Sequence, residues 1–365
     1  MFDIDFCGIA TLNGMEGTRA YTIDRQTRGV ASRGRGFESI DRTCPHADVA
    51  HIARNVVTPI LKSMRWWVGF VWGAGLAINT AVASASCSAV PGAGQIWNKQ
   101  SVRWVFVGEL HGSNEAPAAF LDLVCDALAR GKHVTVALER PMSEQMALQG
   151  VLAGADLASA KTVLLDQPEW KEGMDGRASE AMLRLLLSLR ELRKEHPGLA
   201  VFAFETPFTG TPPGARDEAM GHALLSVGEK KRDDVILILT GNVHAMLSPI
   251  FHYDFAAMYL PTNEVLSLEV TDRGGESWST VNGACGPSTG GVGDKKAGKP
   301  YGIYLDPKLA PFGKVDGVLA LGVPLTSSPP AAGDPTPLPA CRTKFIAEHQ
   351  AADAGRASGK NEPER

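Results

Sequence analysis

From Val102 onward the chain alternates short apolar runs, rich in β-branched and aromatic residues, with longer segments whose apolar residues recur at helical spacing. Residues 102–108, 133–138, 199–204 and 235–240 read as strands. Each is apolar almost throughout, as strands buried on both faces are. Residues 117–129 and 179–194 read as helices, and Ser143 and Ser179 stand where N-caps belong. This alternation predicts an α/β fold with a largely parallel central sheet flanked by helices. Residues 142–197 exceed what one crossover needs and contain Gln167-Pro168-Glu169-Trp170, which predicts a helical cap insertion over one edge of the sheet. Residues 265–270 and 276–281, joined by Thr271-Asp272-Arg273-Gly274-Gly275, read as an antiparallel edge hairpin. The Gly-rich segment 283–298 lacks the spacing of a phosphate-binding loop and reads as an ordinary loop. Beyond Thr326 the chain is rich in Pro, Ala and Gly and ends in charged residues, so residues 326–365 read as a disordered tail.

Ahead of this pattern, Met64-Arg65-Trp66-Trp67 opens a stretch that runs without charge to Ala81-Val82-Ala83-Ser84-Ala85-Ser86. A basic start, a short apolar core and an Ala-x-Ala end describe a secretory signal peptide over residues 64–85. A membrane anchor competes with that reading, but the stretch weakens into Ala, Ser and Gly before it reaches the ~20 strongly apolar residues a span prefers. Residues 1–63 show little periodicity, so Met64 is the expected start and 1–63 a mis-assigned extension. Export would place the folded part, residues 86–325, in a bacterial periplasm or the medium. Cys87, Cys125, Cys285 and Cys341 would remain, an even number in a compartment that permits disulfides. Cys125 lies on the apolar side of a predicted helix and reads as a buried thiol, whereas Cys285 and Cys341 lie in loop-like surroundings and are the expected pair. Cys87 is a candidate for lipidation, against which stands Ser84 three positions earlier.

Composition narrows the partners. With 365 residues and a 44% hydrophobic share the chain can bury a sizeable core, and its net charge of −4 gives no basic field for a nucleic-acid backbone. A small molecule or a peptide is the expected partner.

The candidate chemistry lies where the predicted strands end. Gly108-Glu109-Leu110-His111 follows the first, Glu139-Arg140-Pro141 the second, Glu205-Thr206 the third and Gly241-Asn242-Val243-His244 the fourth. In open α/β sheets ligands bind outside the carboxyl ends of the strands, so these side chains are expected to converge. Two neutral imidazoles, His111 and His244, with the carboxylates Glu109 and Glu139 could hold a divalent metal and activate water. Without a metal, either histidine could act as general base, held in its tautomer by a carboxylate. Arg140 and Asn242 are candidate substrate-binding residues, although Glu139-Arg140 could equally be a structural ion pair. No Gly-x-Ser-x-Gly elbow supports a serine nucleophile.

These motifs, with Arg216-Asp217-Glu218-Ala219-Met220 between the third and fourth, resemble the Tiki and ChaN-like haem-uptake superfamily, which overlaps with the erythromycin esterases. The resemblance spans residues 102–270. It implies an exported hydrolase of an ester, amide or peptide bond, with Glu109, His111, Glu139 and His244 at the catalytic or metal-binding positions and Arg216 as a further substrate-binding residue. It also implies an alternative, a haem-binding uptake protein without catalysis. For that alternative Tyr253, Tyr259 and His252 are the candidate axial ligands. Trp170 and Asp175-Gly176-Arg177 have no counterpart in the resemblance; the latter cluster either reaches the site or is a solvated loop.

Overall fold

The computed structural model describes residues 87–172, 175–206, 214–250, 252–281, 284–289 and 298–333. The expected signal peptide, the extension before it and Cys341 lie outside the described residues. In chain order the elements are α1 (Gly94–Trp97), β1 (Trp104–Glu109), α2 (Glu115–Ala129), β2 (Val134–Pro141), α3 (Gln145–Ala153), α4 (Leu157–Leu165), α5 (Pro168–Glu172), α6 (Glu180–Glu195), β3 (Ala200–Glu205), α7 (Ala215–Lys230), β4 (Val235–Gly241), β5 (Val265–Thr271), β6 (Ser277–Val281), β7 (Ala284–Ser288), β8 (Gly302–Tyr304) and β9 (Gly317–Ala320). Among the described residues none of the helices is long and apolar enough to cross a membrane.

Seven strands form one sheet in the order β3-β2-β4-β1-β5-β9-β8, parallel except where β8 runs against β9. The apolar runs are continuous because both faces are covered. Val105, Val107, Val136, Leu138, Leu237 and Leu239 face α2, α3 and α6, while Trp104, Phe106, Ala137, Ile236 and Ile238 face α7. The segments that follow β1 and β2 therefore leave toward one face, and those that follow β3 and β4 toward the other. Adjacent strands whose connections part in this way open a crevice at their carboxyl ends.

The helical insertion between β2 and β3 comprises α3 to α6 and packs against β3 and α2. Ser179 caps α6 by accepting from the Met182 amide, as its position predicts. Ser143 caps nothing. It falls inside a 3-10 turn, Met142–Glu144, that runs directly into α3. An antiparallel hairpin is present, but its strands are β6 and β7 in a separate two-stranded sheet. Residues 265–271 lie inside the main sheet between β1 and β9 because they are apolar at alternate positions facing the α2 layer. Residues 326–333, expected in the tail, are part of the fold. The Asn114 amide donates to Thr326 O, Ser328 Oγ accepts from the Ala181 amide, and Ser328 is fully buried.

Cys125 is buried as expected but is no free thiol, for it is bonded to Cys87 and ties the start of the described chain to α2. A sulfur in that bond carries no lipid. Cys285 is also disulfide-bonded.

Candidate active site

β1 and β4 run side by side, so that Glu109 pairs with Gly241 and both Gly-x-x-His turns start from the same level of the sheet. His111 and His244 then face each other across Glu139. His111 Nε2 is 3.5 Å from Glu139 Oε2, and His244 Nε2 is 3.7 Å from Glu139 Oε1. Each ring is anchored through its other nitrogen, His111 Nδ1 at 3.0 Å from Glu109 Oε1 and His244 Nδ1 at 2.6 Å from Asp217 Oδ1. A carboxylate on Nδ1 fixes ring orientation and leaves Nε2 to face the crevice.

Glu139 is the hub. Its Oε2 accepts from Thr240 Oγ1 at 2.6 Å and from the Gly241 amide at 2.7 Å, and its Oε1 accepts from Arg216 Nη2 at 2.9 Å and Arg177 Nη1 at 3.3 Å. Both guanidinium groups also donate to Glu205 Oε1, Arg177 at 2.6 Å and Arg216 at 2.5 Å. The carboxylates of this cluster are buried, while the two arginines and two histidines keep between 13% and 20% of their side-chain surface exposed. The cationic and imidazole groups are thus the ones a ligand meets.

Burial raises the cost of charge on Glu139, but the imidazoles beside it when protonated, together with Arg177, hold it well below the usual carboxylate range. Burial pushes His111 down, yet Glu139 and Glu109 outweigh it and lift the imidazole to about 10. Burial likewise drives Glu109 upward against the bond from His111. Asp175, opposed by burial, is brought down to about 2 by Arg177. The two histidines differ in their protons. Arg216 Nη1 lies 3.0 Å from His244 Nε2, and an arginine can only donate, so in this arrangement Nε2 holds the lone pair and Nδ1–H points at Asp217.

The expected residues do not all converge. Arg140 is 1% exposed and turns away from the crevice. Its Nε and Nη2 donate to Glu144 at 2.9 and 2.7 Å, its Nη1 donates to the Arg177 carbonyl, and its guanidinium stacks 4.7 Å over the Trp170 ring. It is a structural ion pair rather than a substrate ligand. Trp170 belongs to the same buried knot and donates to Glu144. Asn242 is half-buried, and its amide donates to the Glu109 carbonyl.

Three further residues belong to the site, of which Glu205 was expected to converge there from its place at a strand end. Glu205 comes from the end of β3. Asp217 follows Arg216 on the first turn of α7, one residue on in the same motif. Arg177 comes from the Asp175-Gly176-Arg177 turn, which does reach the site. Gly176 has φ +79°, and a Cβ there would sit 2.3 Å from the Cα of Gly112, the residue after His111. Only two glycines allow these turns to touch. The signal was thus a Gly beside each polar group, Gly112 after His111 and Gly176 before Arg177.

The donor set does not fit the expected divalent metal. Four hydrogen-bond donors occupy the oxygens of Glu139, Glu109 Oε1 is engaged with His111 Nδ1, and Arg216 stands at the Nε2 of His244. A cation between the imidazoles would lie against two guanidinium groups. Nor do the candidate axial ligands fit a haem. Tyr253, Tyr259 and His252 do line one cavity, of about 570 Å³, but Glu218 and Asp254 share its wall where a macrocycle needs apolar side chains and its propionates need cations.

No family model matches the chain, and no curated protein sequence does. Among solved structures, a structural-genomics protein from Bacillus cereus matches with a TM-score of 0.50 at 12% identity, covering 65% of this chain and 92% of that one. An erythromycin esterase in its open conformation matches with a TM-score of 0.43 at 9% identity, covering 52% of this chain and 77% of that one. The C-terminal region of the Pasteurella multocida toxin, described as carrying a thiol-protease-like catalytic triad, matches with a TM-score of 0.34 at 10% identity, covering 49% of this chain and 24% of that one. The first likeness establishes a shared fold and nothing further.

Proposed function

We propose that this chain is a hydrolase of the Tiki and erythromycin esterase kind, acting without a metal on an ester, amide or peptide bond after export from the cell. The observation that carries the proposal is the pair of carboxylate-anchored imidazoles whose Nε2 atoms both face Glu139, one lifted to about 10 and the other accepting a hydrogen bond. An imidazole that keeps its proton and one whose Nε2 keeps its lone pair supply an acid and a base in one site.

In this reading His244, oriented by Asp217, is the general base. A water that replaces Arg216 at Nε2 loses its proton to that nitrogen as its oxygen attacks the carbonyl carbon. His111 is the acid: its Nε2–H meets the oxygen as negative charge grows there and then passes the proton to the leaving oxygen or nitrogen as that bond breaks. Glu139, tied down by Thr240 and the Gly241 amide, fixes the two rings and the two arginines in register. Arg216 and Arg177 stand ready to orient a substrate carbonyl or carboxylate.

The test is turnover of p-nitrophenyl esters and labelled peptides by the purified chain. His244→Ala and His111→Ala should each lower kcat by about two to four orders of magnitude, Arg140→Lys should leave it near the wild-type value, and chelators should change nothing. Full activity in both histidine variants, or activity that a chelator abolishes, would overturn this reading.

A further inference from the structure

Beside the reactive crevice, on the other side of the first turn of α7, lies the cavity of about 570 Å³ lined by Gly214, Glu218, Pro249, His252, Tyr253, Asp254 and Tyr259. Asp217 joins the two. Its Oδ1 accepts from His244 Nδ1 and from the Ala256 amide, so the ring of the general base and the 252–256 segment hang from one carboxylate. Arg216 precedes it and turns into the crevice, whereas Glu218 follows it and lines the cavity.

The two tyrosines of its wall are seated against α7, while Glu218, His252 and Asp254 are exposed. A Cβ on Gly214 would lie 2.7 Å from the Tyr253 Cβ, and one on Gly221 would lie 2.5 Å from the Tyr259 Cβ, so both tyrosines rest directly on the backbone of α7. Tyr253 is held edge-on to Phe255 with centroids 5.5 Å apart, and Tyr259 lies 5.9 Å from the His222 ring. A cation lying over the face of such a ring is attracted by its quadrupole. Among the described residues the carboxylates of the wall are Glu218 and Asp254, its imidazole is His252, and it holds no lysine or arginine. Burial and then Asp217 push the Tyr253 phenol up against the opposing charge of Arg216, and burial, Glu218, Asp254 and Asp217 push Tyr259 up. Among the described residues the ion-pair contact to these carboxylates is a long one, His222 Nε2 at 3.8 Å from Glu218 Oε1 on an exposed helix face.

We infer that this cavity is the subsite for a cationic group, a protonated amine or a quaternary ammonium, received by Glu218 and Asp254 and by the faces of Tyr253 and Tyr259. That the group belongs to a substrate rests on the hydrolase reading; that the cavity takes a cation does not. A scissile carbonyl near His244 with a cationic arm reaching around α7 would occupy crevice and cavity together, which names the substrate class as esters or amides of amino alcohols, amino sugars or basic amino acids.

The experiment titrates the full chain at low salt with choline and with its neutral isostere dimethylbutanol, by calorimetry and by the tyrosine ring resonances. Choline should bind at least about tenfold more tightly than the isostere, because only it gains the carboxylate and ring-face attraction. Glu218→Gln with Asp254→Asn should remove that preference, Tyr259→Leu should weaken it, and Tyr259→Phe, which keeps the ring, should retain it. Equal binding of the two probes, no binding of choline, or a preference that survives the double substitution would overturn the proposal. Tight choline binding in a protein that hydrolyses neither choline esters nor neutral ones would uphold the subsite and sink the hydrolase reading instead.

Discussion

A Cβ placed on Gly241 would lie 3.1 Å from His111 Nε2, and 3.6 Å from both Glu139 Oε2 and His244 Cδ2. The missing side chain of Gly241 is therefore the space in which the two imidazoles meet Glu139. Gly241 does not have a positive φ, so its backbone suits any residue. Gly241→Ala should accordingly fold with stability within about 1 kcal/mol of the parent. Its kcat/KM should nevertheless fall by about one to two orders of magnitude, since displacing a reacting group by ~1 Å costs that much. Thermal unfolding and esterase kinetics on the same preparation check both halves, and full activity would show that the meeting point is not where chemistry occurs.

Arg140 and Glu144 form a bidentate pair, each 2% exposed, beneath the Trp170 ring. Removing one partner of such a pair leaves a buried charge uncompensated, at about 3–5 kcal/mol. Glu144→Gln should therefore shift the urea midpoint strongly while the folded fraction retains its kcat. Arg140→Lys should do the same to a smaller degree, since an ammonium cannot reproduce two parallel bonds. A raised KM with unchanged stability in Arg140→Lys would return this residue to the substrate.

What the sequence made legible was whatever depends on period and on the ends of strands. Four near-continuous apolar runs had to be covered on both faces, and their carboxyl ends had to gather His111, His244, Glu139 and Glu109. Pairing between distant segments was not legible in the same way. Residues 265–271 and 277–281 are close in sequence and both extended, so a hairpin was the natural reading. Only the tertiary arrangement, with β9 arriving from residues 317–320, draws the first of them into the main sheet. Arg140 misled for a related reason: it sits next to Glu139 in a strand, and neighbours in a strand point to opposite sides. Asp217 was within the motif already singled out. What was missing was the helical geometry that sends Arg216 to Glu139 and Asp217 to the far nitrogen of His244.

Glu269 lies on β5 level with Gly108, 2% exposed, with Oε2 accepting from the Phe312 amide and Oε1 buried without a hydrogen-bond partner among the described residues. Burial pushes its carboxyl up to about 7 against that one bond. A carboxyl raised in the folded state favours folding when protonated. Its contribution is complete below the ordinary Glu range, near 4.5, and is lost as pH rises through about 7. Stability should therefore fall between those values by on the order of 3 kcal/mol, and Glu269→Gln should flatten that slope and be the more stable protein at pH 8. A denaturation series across this interval decides it: identical pH slopes in the two proteins would mean that Glu269 is already charged, or already partnered, in the fold.

The alkaline limb of activity should identify the acid. An imidazole in water loses its proton near 6.5, and a general acid of that strength would give a kcat/KM that declines above neutrality. His111 is lifted to about 10 by Glu139 and Glu109 in spite of burial, so the decline should be postponed to about that pH. The lift is a property of the two carboxylates, and each can be neutralised in turn. Glu109→Gln keeps a hydrogen-bond acceptor 3.0 Å from Nδ1 but removes the charge. It should move the alkaline limb toward neutrality while leaving kcat at lower pH within about tenfold of the parent, the cost of a less firmly held ring. Asp217→Asn provides the contrast, because it acts on the base: it should depress kcat at every pH and leave the alkaline limb in place. If the limb of the parent protein lies near 7, or if Glu109→Gln does not move it, His111 is not the proton donor. If Asp217→Asn moves the alkaline limb and Glu109→Gln does not, the roles of the two histidines are exchanged.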